Sequence, residues 1–226
     1  MRAGGRGRGR QDSEPEAAGF ALTGGKSSRM GRDKALVEFG GRKLVEHAVG
    51  ILRQAGLPAR IAGARPAARA QLEAVAPVVE DAEPGLGPLG GICSALGSTK
   101  ARYAVFLPVD LPLLPASLLV FLLEQARSTG GAVTLASLGG FTQTFPAVLD
   151  RAVLPALRAE LAAGRGGCFS GFAAAAERLG QPMVRVAVEA AAQSGKLSHP
   201  AGLPAERWFL DLDTPEDLER ALSLAR

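Results

Sequence analysis

Between residues 19 and 123, short apolar runs alternate with stretches of helical periodicity, and this order constrains the fold more than any other feature. Residues 19–23, 59–62, 77–80 and 103–109 read as strands. The last, YAVFLPV, is apolar throughout, as expected of a strand buried on both faces. Leu44, Val45, Ala48, Val49, Ile51 and Leu52 recur at helical spacing within residues 42–55, and Gly56 ends that helix. Further helices are expected over 66–75, from the 83–92 segment to about 98, and from Pro115 to about 127. Such alternation implies βαβ units, right-handed crossovers and a mainly parallel sheet. The expected class is α/β: a three-layer sandwich, Rossmann-like in plan.

Beyond residue 123 the pattern continues less regularly. Strands are expected over 132–138, 144–149, 183–188 and 208–212, and helices over 152–163 and 169–179. A final helix opens at Thr214-Pro215-Glu216. Pro146 puts its strand at an edge or an end of the sheet. Residues 190–205 give no clear element. Residues 1–17, MRAGGRGRGRQDSEPEA, are Gly/Arg-rich without apolar periodicity and read as a disordered tail before a domain spanning 18–226.

In open parallel sheets, ligands bind outside the carboxyl ends of the strands. Thr23, Asp81 and Asp110 each fall at such an end. Residues 20–36, FALTGGKSSRMGRDKAL, run from a strand into a loop whose Gly24 and Gly25 let backbone N–H groups turn toward an anion. Arg29, Arg32 and Lys34 add positive charge. A cationic glycine loop suits a triphosphate. A carboxylate at a neighbouring strand end suits Mg2+, which binds through one or two carboxylates plus substrate phosphates. Asp110, in PVDLP, is that carboxylate or else a turn residue ahead of the Pro115 helix. Gly85, Gly87 and Gly90 also satisfy G-x-G-x-x-G, but no well-placed acid follows at the end of the next strand to support a dinucleotide site.

Other chemistry is poorly supported. His47 lies on an apolar helix, and His199 has no partner at ligand spacing. Cys93 and Cys168 are too separate for a C-x-x-C motif and suggest a reducing, cytoplasmic setting. The net charge of +4 owes much to Arg2, Arg6, Arg8 and Arg10, so it does not point to a nucleic-acid partner. No apolar run nears the roughly 20 residues that span a membrane.

The 20–36 stretch resembles the molybdenum cofactor guanylyltransferase pattern L-x-G-G-x-S-x-R-M-G-x-D-K-x-L through Leu22, Gly24, Gly25, Ser27, Arg29, Met30, Gly31, Asp33, Lys34 and Leu36. Pro108, Asp110 and Pro112 match P-x-D-x-P, and Gly87, Pro88, Leu89 and Gly91 match G-P-L-x-G. The resemblance implies a nucleotidyltransferase (GT-A-like) fold that joins GMP from GTP to the phosphate of molybdenum-molybdopterin. It implies catalytic roles for Arg29, Lys34 and Asp110, with Asp110 holding Mg2+. It implies nucleotide contacts from Leu22, Thr23, Gly24, Gly25, Lys34, Asp81 and Asp110, with Asp81 reading base or ribose. Apo-molybdoenzymes or their chaperones are implied recipients of the product.

The chain departs from that pattern in places. DLDTPED carries Asp211 and Asp213 where guanylyltransferases resembled here have N-x-N-T-P-E, and it leans toward related cytidylyltransferases. Either acid could approach the metal or the acceptor, or Asp213 or Thr214 could cap the last helix. IAGARP offers no Asn after the second strand, and FTQTFP replaces a family His-Pro element. The loop of residues 164–171 is a further candidate for the acceptor's phosphate. A sugar-phosphate nucleotidyltransferase and a GTP-binding accessory protein are the rival readings.

Overall fold

A strand apolar on both faces needs cover on both sides, and β1 (Ala17–Leu22) and β5 (Tyr103–Pro108) have it in the computed structural model, which describes residues 15–24, 33–82 and 85–224. Ala17 and Ala21 of β1, with Tyr103, Val105 and Leu107 of β5, face one core. Ala18, Phe20 and Leu22, with Ala104 and Phe106, face the other. The first core is filled by α1 (Leu44–Gln54) and α4 (Ala116–Thr129). The second is filled by α3 (Gly87–Gly97), α5 (Leu154–Ala162) and α6 (Cys168–Leu179). These are the three layers expected.

The sheet has six strands in the order β4-β1-β5-β7-β6-β8, where β4 is Ala59–Ala62, β6 Val133–Leu138, β7 Phe141–Asp150 and β8 Met183–Ala187. All pairings are parallel except those of β7, which runs against both β5 and β6. A mainly parallel sheet is therefore correct. A small hairpin, β2 (Glu38–Phe39) and β3 (Arg42–Lys43), turns through Gly40 and Gly41 at φ 57° and 79°. The remaining helices are α2 (Arg69–Glu73), α7 (Val188–Gln193) and α8 (Pro215–Leu224).

Several expectations change. β1 starts at Ala17 rather than 19, while residues 1–14 of the expected tail lie outside the described residues. Residues 77–80 do not form a full strand. Val78 makes a single parallel bridge to Ile61, where Ile61 donates to Pro77 and Val79 donates to Ile61. Pro77 lacks an N–H, which weakens any longer ladder. Pro146 lies within β7, an interior strand rather than an edge. It is tolerated because pairing with β5 stops at Ala147, and the β6 ladder shifts register between Leu135 and Ser137.

Residues 208–212 are not a strand either. Trp208 follows a short 3-10 turn, Ala205–Arg207, and is 1% exposed, with its indole N–H donating to Leu203 at 2.8 Å. This indole fills the core under the last segment, so the chain follows the buried ring rather than a sheet edge.

Candidate active site

The parallel register sets β1 and β5 side by side, with Leu22 opposite Pro108 and Val109 donating to the Leu22 carbonyl at 3.1 Å. Thr23 and Asp110 thus leave the sheet next to each other. Thr23 is buried, and both its N–H and its hydroxyl donate to the Ala62 carbonyl, at 3.0 and 3.1 Å. Its side chain therefore fastens β1 to β4. Leu22 is also buried.

Lys34 reaches the same edge through a local device. Asp33 accepts from the Ala35 N–H at 3.1 Å and caps the 3-10 turn Lys34–Leu36, while Ala35 is fully buried. The Lys34 ammonium then lies 2.9 Å from Asp110 Oδ2 and 2.5 Å from Asp213 Oδ1. Burial disfavours its charge, but the two carboxylates outweigh that and raise its pKa. The Asp211 carboxyl is pushed up to about 6, first by desolvation and then by Asp110 and Asp213. Three carboxylates and one ammonium form a single electrostatic unit.

The C-terminal segment is held there by backbone and cap. Leu212 donates to the Asp110 carbonyl at 3.1 Å. Thr214 and Asp217 cap α8 reciprocally: Asp217 N–H donates to the Thr214 hydroxyl, and the Thr214 N–H and hydroxyl donate to Asp217 Oδ2. Thr214 and not Asp213 makes the cap, which leaves Asp213 for Lys34.

Asp81 stands apart from that cluster. It follows the Val78 bridge outside β4, and Ser94 of α3 donates to it at 3.0 Å. Three inter-strand spacings, about 14 Å, separate its row from that of Asp110. Between them runs a floor of backbone. A methyl group on Gly63 (φ 77°) would sit 3.0 Å from the Gly24 nitrogen, and one on Gly91 would sit 3.5 Å from Gly63 Cα. Gly24, Gly63 and Gly91 thus let the ends of β1 and β4 approach α3. The sequence signal for Gly63 is a glycine directly after a parallel strand.

Gly25 and Arg29 lie outside the described residues. Among the described residues, no group of three or more His, Cys, Asp or Glu side chains is arranged to hold a metal ion. His199 donates to Leu113 and accepts from the Ala201 N–H, each at 3.0 Å, a structural role. Cys168 is pushed up to about 11, by burial and then by Cys93, which makes it a poor nucleophile at neutral pH.

Residues 19–179 match the family described as MobA-like NTP transferase domain. The chain belongs to that family. A molybdenum cofactor guanylyltransferase from Xanthomonas euvesicatoria is 44% identical over 111 residues, which is 48% of this chain and 54% of that protein. A "Probable molybdenum cofactor guanylyltransferase" from Carboxydothermus hydrogenoformans is 31% identical over 204 residues, 90% of this chain and 93% of that one. Among solved structures, molybdopterin-guanine dinucleotide biosynthesis protein A from Archaeoglobus fulgidus superposes with a TM-score of 0.73 at 20% identity, over 92% of this chain and 98% of that chain. The 2-C-methyl-D-erythritol 4-phosphate cytidylyltransferase of Thermus thermophilus has a TM-score of 0.61 at 18% identity, over 95% and 100% of the two chains. These last two show the shared fold.

Proposed function

We propose that this MobA-like chain transfers GMP from GTP to the phosphate of molybdenum-molybdopterin in the cytoplasm, releasing pyrophosphate and forming the molybdopterin guanine dinucleotide cofactor. The observation that carries the reading is the convergence of Lys34, Asp110 and Asp213 at the carboxyl edge of the sheet, in a chain that matches a guanylyltransferase along nearly its full length. An acceptor phosphate oxygen attacks the α-phosphorus in line. The bond to the β-bridging oxygen breaks, and pyrophosphate leaves with its electron pair.

The residues divide into two halves. The Asp81 carboxylate can accept two N–H donors from a guanine edge. Beside Asp110, Lys34 neutralises charge on the departing pyrophosphate, a role that Arg29 shares. The nucleotide then lies across the Gly24–Gly63 backbone floor next to Leu22 and Thr23, and Gly25 joins its contacts. Asp110 would hold Mg2+, and the chemistry fits: Asp110 and Asp213 already share one cation, the Lys34 ammonium. When bound, the metal would offset the negative charge of the transferred group. Asp211 and Asp213 face the acceptor side, and an apo-molybdoenzyme or its chaperone would take the product. Among the described residues, no helix is long and apolar enough to cross a membrane.

The test is to incubate purified protein with Mg2+, molybdenum-loaded molybdopterin and labelled GTP or CTP. Incorporation of GMP is expected. One specific observation favours a cytidylyltransferase instead, the acidic D-x-D at Asp211 and Asp213. Preferential use of CTP would establish that alternative. Pyrophosphate release that depends on a sugar phosphate and ignores molybdopterin would move the reaction to another acceptor. GTP binding without turnover would mark an accessory protein.

A further inference from the structure

Among the described residues, Glu160 of α5 is the one charged residue that is buried, its side chain 5% exposed. A carboxylate there is costly unless it is paired and hydrogen-bonded. It is paired twice. Arg165 grips it with both arms of its fork, Nε at 2.6 Å and Nη2 at 3.0 Å, and Arg178 of α6 adds Nη2 at 2.8 Å. The Arg165 N–H also donates to the Glu160 carbonyl at 2.9 Å. Gly164 makes the intervening turn at φ 75°. Arg165 is thus tied to Glu160 by backbone and side chain together.

The residues that follow pass beside the candidate nucleotide half. A methyl group added to Gly166 would come within 4.0 Å of the Leu86 carbonyl oxygen, so the loop runs alongside that residue. Two residues on, α6 begins, and its Gly171 meets Leu89 so closely that a methyl group there would sit 3.2 Å from Leu89 Cδ2. Leu86 and Leu89 flank the first turn of α3, and Ser94 one turn further along holds Asp81. A series of neighbours therefore runs from Glu160 through Arg165 and Gly166 to the α3 N-terminus, whose helix holds Asp81 through Ser94.

We infer that Glu160 is a positioning residue for the nucleotide: it fixes the loop of residues 164–167 beside the Gly85–Leu86 turn and so limits the placement of α3 and Asp81. The inference rests on the reading of Asp81 and the α3 turn as the nucleotide half. Its two arms are separable. The Arg165 arm holds the loop, whereas Arg178, in the last turn of α6, only ties that helix to α5.

The experiment is calorimetric titration of GTP with Mg2+ into wild type, Glu160→Gln, Arg165→Ala, Arg165→Lys and Arg178→Ala, with a melting temperature for each. Glu160→Gln and Arg165→Ala are expected to weaken GTP binding about tenfold, the scale of a lost charge-assisted bond. Arg165→Lys should recover part of that loss. Arg178→Ala should bind GTP as wild type does while melting earlier. Equal GTP affinity for Arg165→Ala and wild type overturns the inference and leaves only a stabilising role. If Glu160→Gln does not fold, the contrast between the two arginine variants decides. A wild-type protein that does not bind GTP sinks the guanylyltransferase reading itself, a separate result.

Discussion

Lys34 sits between two carboxylates, so the three charges depend on one another. Removing Asp110 takes away one of them together with the proposed metal ligand. Asp110→Ala is expected to fold normally and to lose turnover by about a thousandfold, comparable to the loss of a key electrostatic group elsewhere; nucleotidyl transfer by a variant with wild-type circular dichroism is the measurement. Unchanged turnover would remove Asp110 from the chemistry. Asp211 gives a pH signature. Its folded pKa, about 6, lies above the ordinary 3.8, so its contribution favours folding below pH 3.8 and is lost as pH rises through 6. Asp211→Asn should therefore raise the melting temperature at pH 7, with the gain vanishing toward pH 4. A gain that grew on acidification would contradict the desolvation of Asp211 and its crowding by acidic neighbours. Part of Asp211 is still exposed, so the shift in melting temperature should be modest.

At the scale of elements, the edge depends on how closely backbones approach. Gly63 combines a left-handed backbone with a neighbour 3.0 Å from any added methyl group. Gly63→Ala should destabilise the protein by about 1–3 kcal/mol in urea unfolding, and GTP affinity should fall with it, because the floor between Asp81 and Asp110 must open. Gly41, which also has positive φ but has open space around it, is the control: its alanine variant should leave GTP affinity unchanged. The elements also explain why the 77–80 and 208–212 runs are not strands. Both are apolar and short enough for strands. The first spends its pairing on one bridge to Ile61, and the second is drawn inward by Trp208.

Across the whole molecule, two cores hold the sheet between helical layers, and the C-terminal segment completes the site from a distance. Trp208 links these facts. Trp208→Ala should cost about 3–5 kcal/mol, measured by urea unfolding, because a large buried ring leaves a cavity. It should also lower turnover in protein that remains folded, since the 208–214 segment carries Asp213 to Lys34. Retained stability would mean that the indole is not the anchor described. What the sequence determined by itself was the layered α/β plan, the parallel core strands and the placement of Thr23 and Asp110 at their ends. Those follow from local periodicity and from the handedness of βαβ units, which short windows of residues carry. Only the tertiary structure decided that Asp213 faces Lys34 while Thr214 caps the helix, and that Gly63 closes on Gly24. It alone placed β7 and its proline inside the sheet and turned Glu160 to the loop beside α3. These pairings join groups as far apart as Lys34 and Asp213, 179 residues along the chain. No local signal encodes contacts of that range; they exist once packing has brought the segments together.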